Sequence, residues 1–378
     1  MSRTDTTAPA QRSSRGGTAD AGERPVGAAH RRGATDVRLA KRRLPRWSSP
    51  LVAAGSAALG CGAGAAAGWH NPVQWALLSA LLFVAATYVL TAAVEGRRQA
   101  GDRVAASLVW VCFLAAVVPL VSLAWTTVRN GSGLISGYFL THSMGGVTNI
   151  QPGGGIYHAL LGTLEQVGLA TALAAPVGLL TGVYLVEYGG GRFAAAVTFF
   201  VDVMTGVPSI VAGLFVLSFW NLGLGFGPSG FAGSMALALL MMPVVVRSTE
   251  EMLKLVPHEL REASLALGVP KWCTIARVVL PTAAGGITTG VMLAVARITG
   301  ETAPVMLLVF GNPLINPDPF AGAQESLPLY VWNQYKLGND ASVDRAWAGA
   351  LTLIAFVMLL NLLARAVARW KSPRGTGR

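Results

Sequence analysis

Long uncharged runs alternate with short charged segments along the chain. Leu51 to Trp69, Val73 to Val94 and Val104 to Val128 carry no charged residue. Further apolar runs follow at Ile156 to Leu185, Phe193 to Trp220, roughly 17 residues ending at Val246, Thr282 to Phe310, and Ala346 to Ala364. About 20 apolar residues span a bilayer core, so the pattern predicts eight transmembrane helices and an all-α polytopic membrane protein. Gly60, Gly64 and Gly68 recur every fourth residue in the first run, which predicts close packing against the second. Pro119 and Pro176 interrupt two of the spans without ending them.

Composition agrees with this pattern. The chain is 53% hydrophobic and 12% charged, against about 25% charged residues in a soluble domain. The net charge of +11 does not point to nucleic acid, because the bases sit in short segments beside the spans, where they set orientation. Only Arg129, Lys336 and Arg345 fall in the segments predicted to lie outside, and Arg297 falls within a span; the remaining Lys and Arg are inside. Both termini are therefore expected in the cytoplasm. Residues 1–50 lack an aliphatic run and read as a disordered basic tail with a weak attraction to anionic lipid. The first apolar run begins at Leu51, too far in for an ordinary cleaved signal peptide.

Several chemistries find no residues to carry them. Cys61, Cys112 and Cys273 are scattered, as are the five histidines, so neither a disulfide framework nor a metal site follows. No G-x-x-x-x-G-K-[ST] run occurs, so the chain has no P-loop ATPase site of its own. The informative charges are those in apolar runs. Gln166 to Val186 is long enough to cross alone, which places Glu165 at the outer interface, and Val203 to Trp220 nearly suffices, which leaves Asp202 near the inner one. Arg297 and Glu301 have no such flank and fall at membrane depth, where a charge costs about 3 kcal/mol or more. Four apart on a continuous helix, they would share a face. Two readings stay open: a mutually neutralising structural pair, or a cation on a translocation path whose neighbouring carboxylate sets the local charge and holds the guanidinium.

The stretch Pro257 to Pro281 is the longest charged segment between two apolar runs. Pro257 fits the first turn of a short helix, Gly268 the left-handed residue that ends it, and Pro270 the start of a second. Glu262, Ala263 and Ser264 precede that corner, so the first piece would offer small side chains to another protein. Glu262-Ala263-Ser264, Gly268 and Val278-Val279-Leu280-Pro281 resemble the EAA loop of ABC-importer permeases, with Ser264 in place of an Ala and Val278 in place of an Ile. That resemblance implies a coupling helix, carried by Glu262, Ala263, Ser264, Gly268, Leu280 and Pro281, seated in a cleft of a cytoplasmic ATPase. A second resemblance, of LALGVPKWCTIARV to a DNA-binding helix-turn-helix, is disfavoured because membrane spans tether both ends.

Ala296-Arg297-Ile298-Thr299-Gly300-Glu301-Thr302-Ala303-Pro304 resembles the A-R-x-x-G-E-T-A-P signature of phosphate ABC-importer permeases. Gly153-Gly154-Gly155-Ile156, Tyr184-Leu185-Val186-Glu187-Tyr188, Gly206-Val207-Pro208-Ser209-Ile210-Val211 and Ser326-Leu327-Pro328-Leu329-Tyr330 point to the A-type permeases. The resemblance covers Val104 to near the C-terminus. It implies a six-helix type I (MetI-like) core over residues 104–370 with a coupling loop at 248–281. Outside that core lie an extra N-terminal hairpin at 51–103 and a basic tail at 371–378. It further implies alternating access in a bacterial inner membrane, with Arg297, Glu301 and Thr302 on the translocation path. The implied partners are a second, C-type permease subunit, a cytoplasmic ATPase dimer that binds ATP and Mg2+, and an extracytoplasmic phosphate-binding protein. No cofactor in this chain and no nucleic acid are expected. Rival readings are a sulfate or molybdate importer, a secondary phosphate carrier and a membrane-tethered DNA-binding regulator.

Overall fold

The computed structural model describes residues 44, 45 and 47 to 371. The expected tails at 1–50 and 371–378 lie largely outside the described residues, although Ser48–Pro50 already belong to the first helix. Among the described residues the chain is helical, with one isolated bridge between Phe310 and Gln324. It divides into two compact units, Met1–Ala115 and Ala116–Arg378.

In the first unit, α1 (Ser48–Ala66) and α2 (Pro72–Val94) form a hairpin. The Asn71 side chain caps α2 by accepting from the Val73 N–H at 2.9 Å, and Pro72 occupies the first helical position, where no donor is lost. Glycines make the hairpin possible. A Cβ on Gly60 would lie 2.1 Å from Ser79 Oγ, and one on Gly64 2.3 Å from the Trp75 ring. Gly68 does not extend this face as the fourfold spacing predicts: α1 ends at Ala66, and Gly68 turns the chain with φ +69°. The start of α3 (Arg97–Gly131) adds Arg103, whose guanidinium lies 2.8 Å from Glu95.

In the second unit, α5 (Tyr157–Val183, extended by a π-turn over Tyr184–Tyr188) packs along α8 (Gly230–Lys254). Gly178 meets Val245 and Gly182 meets Thr249, where a Cβ would come within 2.8 Å and 2.7 Å. Such close approach is how helices gain contact where lipid removes the hydrophobic drive between them. A core of Val167, Ala170, Ala174, Met241, Val245, Ile298 and Leu308 fills the centre of the unit. A second cluster, Phe139, Ile156, Leu327 and Tyr330, joins the start of α5 to α4 (Gly137–Thr141) and α13 (Leu327–Leu337).

Among the described residues seven helices are long and apolar enough to span a membrane, and the eighth expected span is a bent pair. α6 (Arg192–Thr205) and α7 (Ser209–Val216, with a π-turn over Leu217–Gly223) meet at 107°. The crossing expected from Phe193 to Trp220 is therefore sharply bent. Pro208 is extended, φ −59° and ψ 141°, and has no N–H to continue the helix through Gly206 and Val207. The run expected from Thr282 to Phe310 is also divided. One helical stretch starts at Lys271 and ends at Thr299, Gly300 to Thr302 break it, and α12 (Ala303–Leu308) follows. The segment expected as a long loop to Arg345 contains α13 and the start of α14 (Asp340–Lys371).

Candidate coupling corner and translocation site

The corner forms as the proline and glycine spacing predicts. α9 (His258–Ala266) begins after Pro257, which stands just before the first helical residue rather than inside its first turn. Gly268 adopts φ +76°, and its N–H reaches the Leu265 carbonyl at 2.9 Å. α10 (Lys271–Thr274) then starts after Pro270 and runs through a π-turn, Ile275–Val279, into α11 (Leu280–Thr299). Glu262 and Ala263 are exposed beside the corner, with Leu267 83% and Trp272 65% exposed.

Ser264 departs from the expectation that it faces outward. It is buried, and its hydroxyl lies 2.9 Å from that of Thr274, closing the corner from within. A hydroxyl at this position adds an internal hydrogen bond that an Ala cannot make. Leu280 and Pro281 are not at the corner. Leu280 packs with Leu253, Val256 and Val279 at the base of the long helix, and Pro281 lies in the first turn of α11.

The corner is fastened by residues that its own motif does not contain. Arg261 Nη2 lies 3.0 Å from Glu187 Oε1, with both side chains largely buried. The same guanidinium donates to the Val256 carbonyl at 2.6 Å and the Leu253 carbonyl at 2.9 Å, satisfying groups the end of α8 leaves open. Lys271 donates to the Glu187 carbonyl and stands 4.8 Å above the Tyr188 ring. The short stretch around Glu187 stands out in the sequence, but nothing in the linear order joins it to Arg261, 74 positions away.

Arg297 occupies the last turn of α11, where its charge complements the helix C-terminus, and its side chain is exposed. Glu301 does not share a helix face with it, because the helix breaks at Gly300. Among the described residues, neither an ion pair nor a side-chain hydrogen bond engages Arg297, so the mutually neutralising pair is not formed. Glu301 borders a small gap beside Thr299 and Ser326, and Thr302 lines a cleft of about 460 Å3 with Trp332 and Tyr335. α12 is held against α7 where Gly213 leaves room for Pro304. The two acids expected at the interfaces have polar partners. Asp202 meets Arg247, and Glu165 accepts from Gln324 Nε2 at 2.7 Å. Arg345, which the sequence places in an outer segment, is buried and donates to Gln334 Oε1 and to the carbonyls of Asn149, Gln151 and Gly153.

The fold and these sites define a polytopic, helical transport component of a membrane. Residues 174–376 match the family described as "binding-protein-dependent transport system inner membrane component". The chain is 52% identical over 270 residues to "Phosphate transport system permease protein PstA 1" of Mycobacterium tuberculosis (strain CDC 1551 / Oshkosh), covering 71% of this chain and 88% of that protein. It is 49% identical to the PstA of Mycobacterium leprae (strain TN), covering 72% of this chain and 90% of that protein. In structure it is similar to the inward-facing MetNI methionine ABC transporter, with a TM-score of 0.45 and 21% identity over 58% of this chain and 94% of that one. The chain belongs to the family of binding-protein-dependent transport permeases.

Proposed function

We propose that this chain is a membrane-spanning subunit of an ATP-driven importer of inorganic phosphate. The relatives named as phosphate transport permeases support the substrate, and the A-R-x-x-G-E-T-A-P run supports it from within the chain. The observation that carries the mechanism is that a single 29-residue helical stretch, Lys271–Thr299, begins at the corner and ends with the exposed Arg297. At 1.5 Å per residue it is about 43 Å long, so a push at the corner becomes a tilt at the guanidinium.

A separate cytoplasmic ATPase dimer binds ATP and Mg2+ and receives α9 through Glu262, Ala263, Gly268 and the exposed leucines. A second, C-type permease subunit covers the exposed face of α11, and a phosphate-binding protein delivers the anion from outside. Both termini lie in the cytoplasm of a bacterial cell, with the α6–α7 pair crossing the inner membrane once. Arg297 transiently replaces part of the phosphate's hydration, and Glu301 and Thr302 line the passage beyond it.

The test is ATP-dependent phosphate uptake into vesicles holding the full set of partners. The wild-type chain should transport when phosphate-loaded binding protein is present. Arg297→Gln should assemble normally and lose uptake by at least tenfold. Normal assembly with wild-type uptake would remove Arg297 from the path, and uptake driven by an ion gradient without ATPase would make the chain a secondary carrier.

A further inference from the structure

A cavity of about 830 Å3 lies at the end of α5 opposite Glu187, bounded by the 144–149 loop, the turn at Phe310–Gly311 and one side of α13. Its walls hold buried polar atoms with no protein partner. Glu325 is 7% exposed with Oε1 unpaired, and His158 is 4% exposed with Nδ1 unpaired. Leaving such groups unmade costs about 1–3 kcal/mol each, more when charged, so their retention needs a reason.

The backbone at the same place is strained open. Phe310, with φ 64°, is the one non-glycine residue of positive φ among the described residues, and Gly311 follows with φ +80°. A Cβ on Gly311 would sit 3.0 Å from Asn333 Nδ2 and 3.1 Å from Glu325 Oε2, closing the space over the carboxyl group. Strain of this kind clusters at sites that bind something.

The charge balance decides what. Glu325 is the only acid on the cavity wall. Lys336, the only Lys or Arg there, is turned over the Trp332 ring at 5.8 Å. Arg345, behind the wall, already spends its donors on Gln334 and three loop carbonyls. Among the described residues no ion pair reaches Glu325, so an occupant that ionises it would bring its own positive charge. Among the described residues no cluster of three or more His, Cys, Asp or Glu exists, which is too few ligands for a bound transition metal. An ammonium group supplies three donors and no acceptor, which suits the unpaired Glu325 Oε1 and an unprotonated His158 Nδ1. The Tyr330 ring, edge-on to His158 at 5.6 Å, adds an aromatic wall that suits a cation.

We propose that this cavity is a binding site for a primary ammonium group, carried by a small free amine or by a lysine side chain of another protein. The site stands on its own residues and is independent of what the chain transports. Burial pushes the Glu325 carboxyl up to about 8, against hydrogen bonds from Ser326 and Asn333. Binding near neutral pH therefore releases one proton, from the carboxyl group to water. His158 on α5, Tyr330 and Lys336 on α13 and Arg345 on α14 are the other titratable groups around it.

The experiment places the full chain in nanodiscs of phosphatidylcholine, which has no primary amine, and follows the protonated carboxyl stretch by infrared difference spectroscopy. Titration with methylammonium should remove that band saturably, with apparent affinity rising about tenfold for each unit by which pH is raised toward 8. Glu325→Gln should abolish the change. On the unmutated chain, tetramethylammonium, which has the charge but no donor, should bind at least tenfold more weakly. If a lysine-containing tripeptide binds at least tenfold better than methylammonium, the site serves a partner chain; if it does not bind, the site serves a free amine. An equal response to tetramethylammonium, sodium or inorganic phosphate, or a response that survives Glu325→Gln, would overturn the proposal. So would the lack of a saturable response to methylammonium.

Discussion

The guanidinium of Arg261 lies 3.0 Å from the carboxylate of Glu187 and also binds two carbonyls at the end of α8. One side chain thus ties the corner helix α9 to the adjacent ends of two central helices. A force applied to α9 has a stiff route into α5 and α8 as well as along α11.

Removing one partner of a largely buried ion pair costs about 3–5 kcal/mol, because the other charge is left uncompensated. Arg261→Ala should therefore lower thermal stability and, in the assembled complex, leave ATP hydrolysis running with little transport. Glu187→Gln should act in the same direction. The double variant should lose less than the sum of the two, since both break one contact. Strict additivity in the melting curves would separate the two residues.

Gly268 faces open space, with no atom within 4 Å of a built Cβ, yet its φ is +76°. Only backbone strain opposes substitution there. Gly268→Val should cost about 1–2 kcal/mol and reduce transport per ATP hydrolysed, while Gly268→Asn, which tolerates the left-handed region, should retain most of it. Equal coupling ratios in the valine and glycine forms would count against a corner that must keep its shape.

Gly162 presents the opposite case. A Cβ there would lie 2.0 Å from the Glu325 carbonyl oxygen, where no flexible side-chain end can yield. Gly162→Ala should destabilise the chain by about 1–3 kcal/mol as the 323–327 segment is pushed from α5. A melting temperature unchanged by the substitution would mean that the segment does not pack there.

Glu325, outside the spanning helices, carries a pH signature. Its unfolded value is 4.5, and burial raises the folded value to about 8, so between those limits the folded state holds the extra proton. The stabilisation is complete below pH 4.5 and is lost as pH rises through 8, at up to about 1.4 kcal/mol per unit. Chemical denaturation of the detergent-solubilised chain at several pH values should show this slope, and Glu325→Gln should flatten it.

What could be read in advance follows the range of each interaction. The corner was legible because Pro257, Gly268 and Pro270 act on the backbone at their own positions. Gly60 and Gly64 were legible because helix periodicity alone puts them on one face. The supposed face shared by Arg297 and Glu301 failed for a local reason: periodicity assumes an unbroken helix, and Gly300 ends this one. The inward turn of Ser264 depended on Thr274 arriving across the corner.

By itself, the order of residues determined that this is a multi-pass helical protein, which runs are apolar enough for a membrane, where the corner turns and which motifs it shares with transport permeases. Those properties depend on hydrophobicity and backbone preference, which act over a few residues to about 20. Only the tertiary structure decided that Arg261 meets Glu187, that Arg345 is buried under the 149–153 loop, that α6 and α7 bend by 107°, and that Arg297 stands unpaired. Each of these depends on the direction in which a side chain or helix end is held by distant neighbours, and no spacing along the chain encodes that direction.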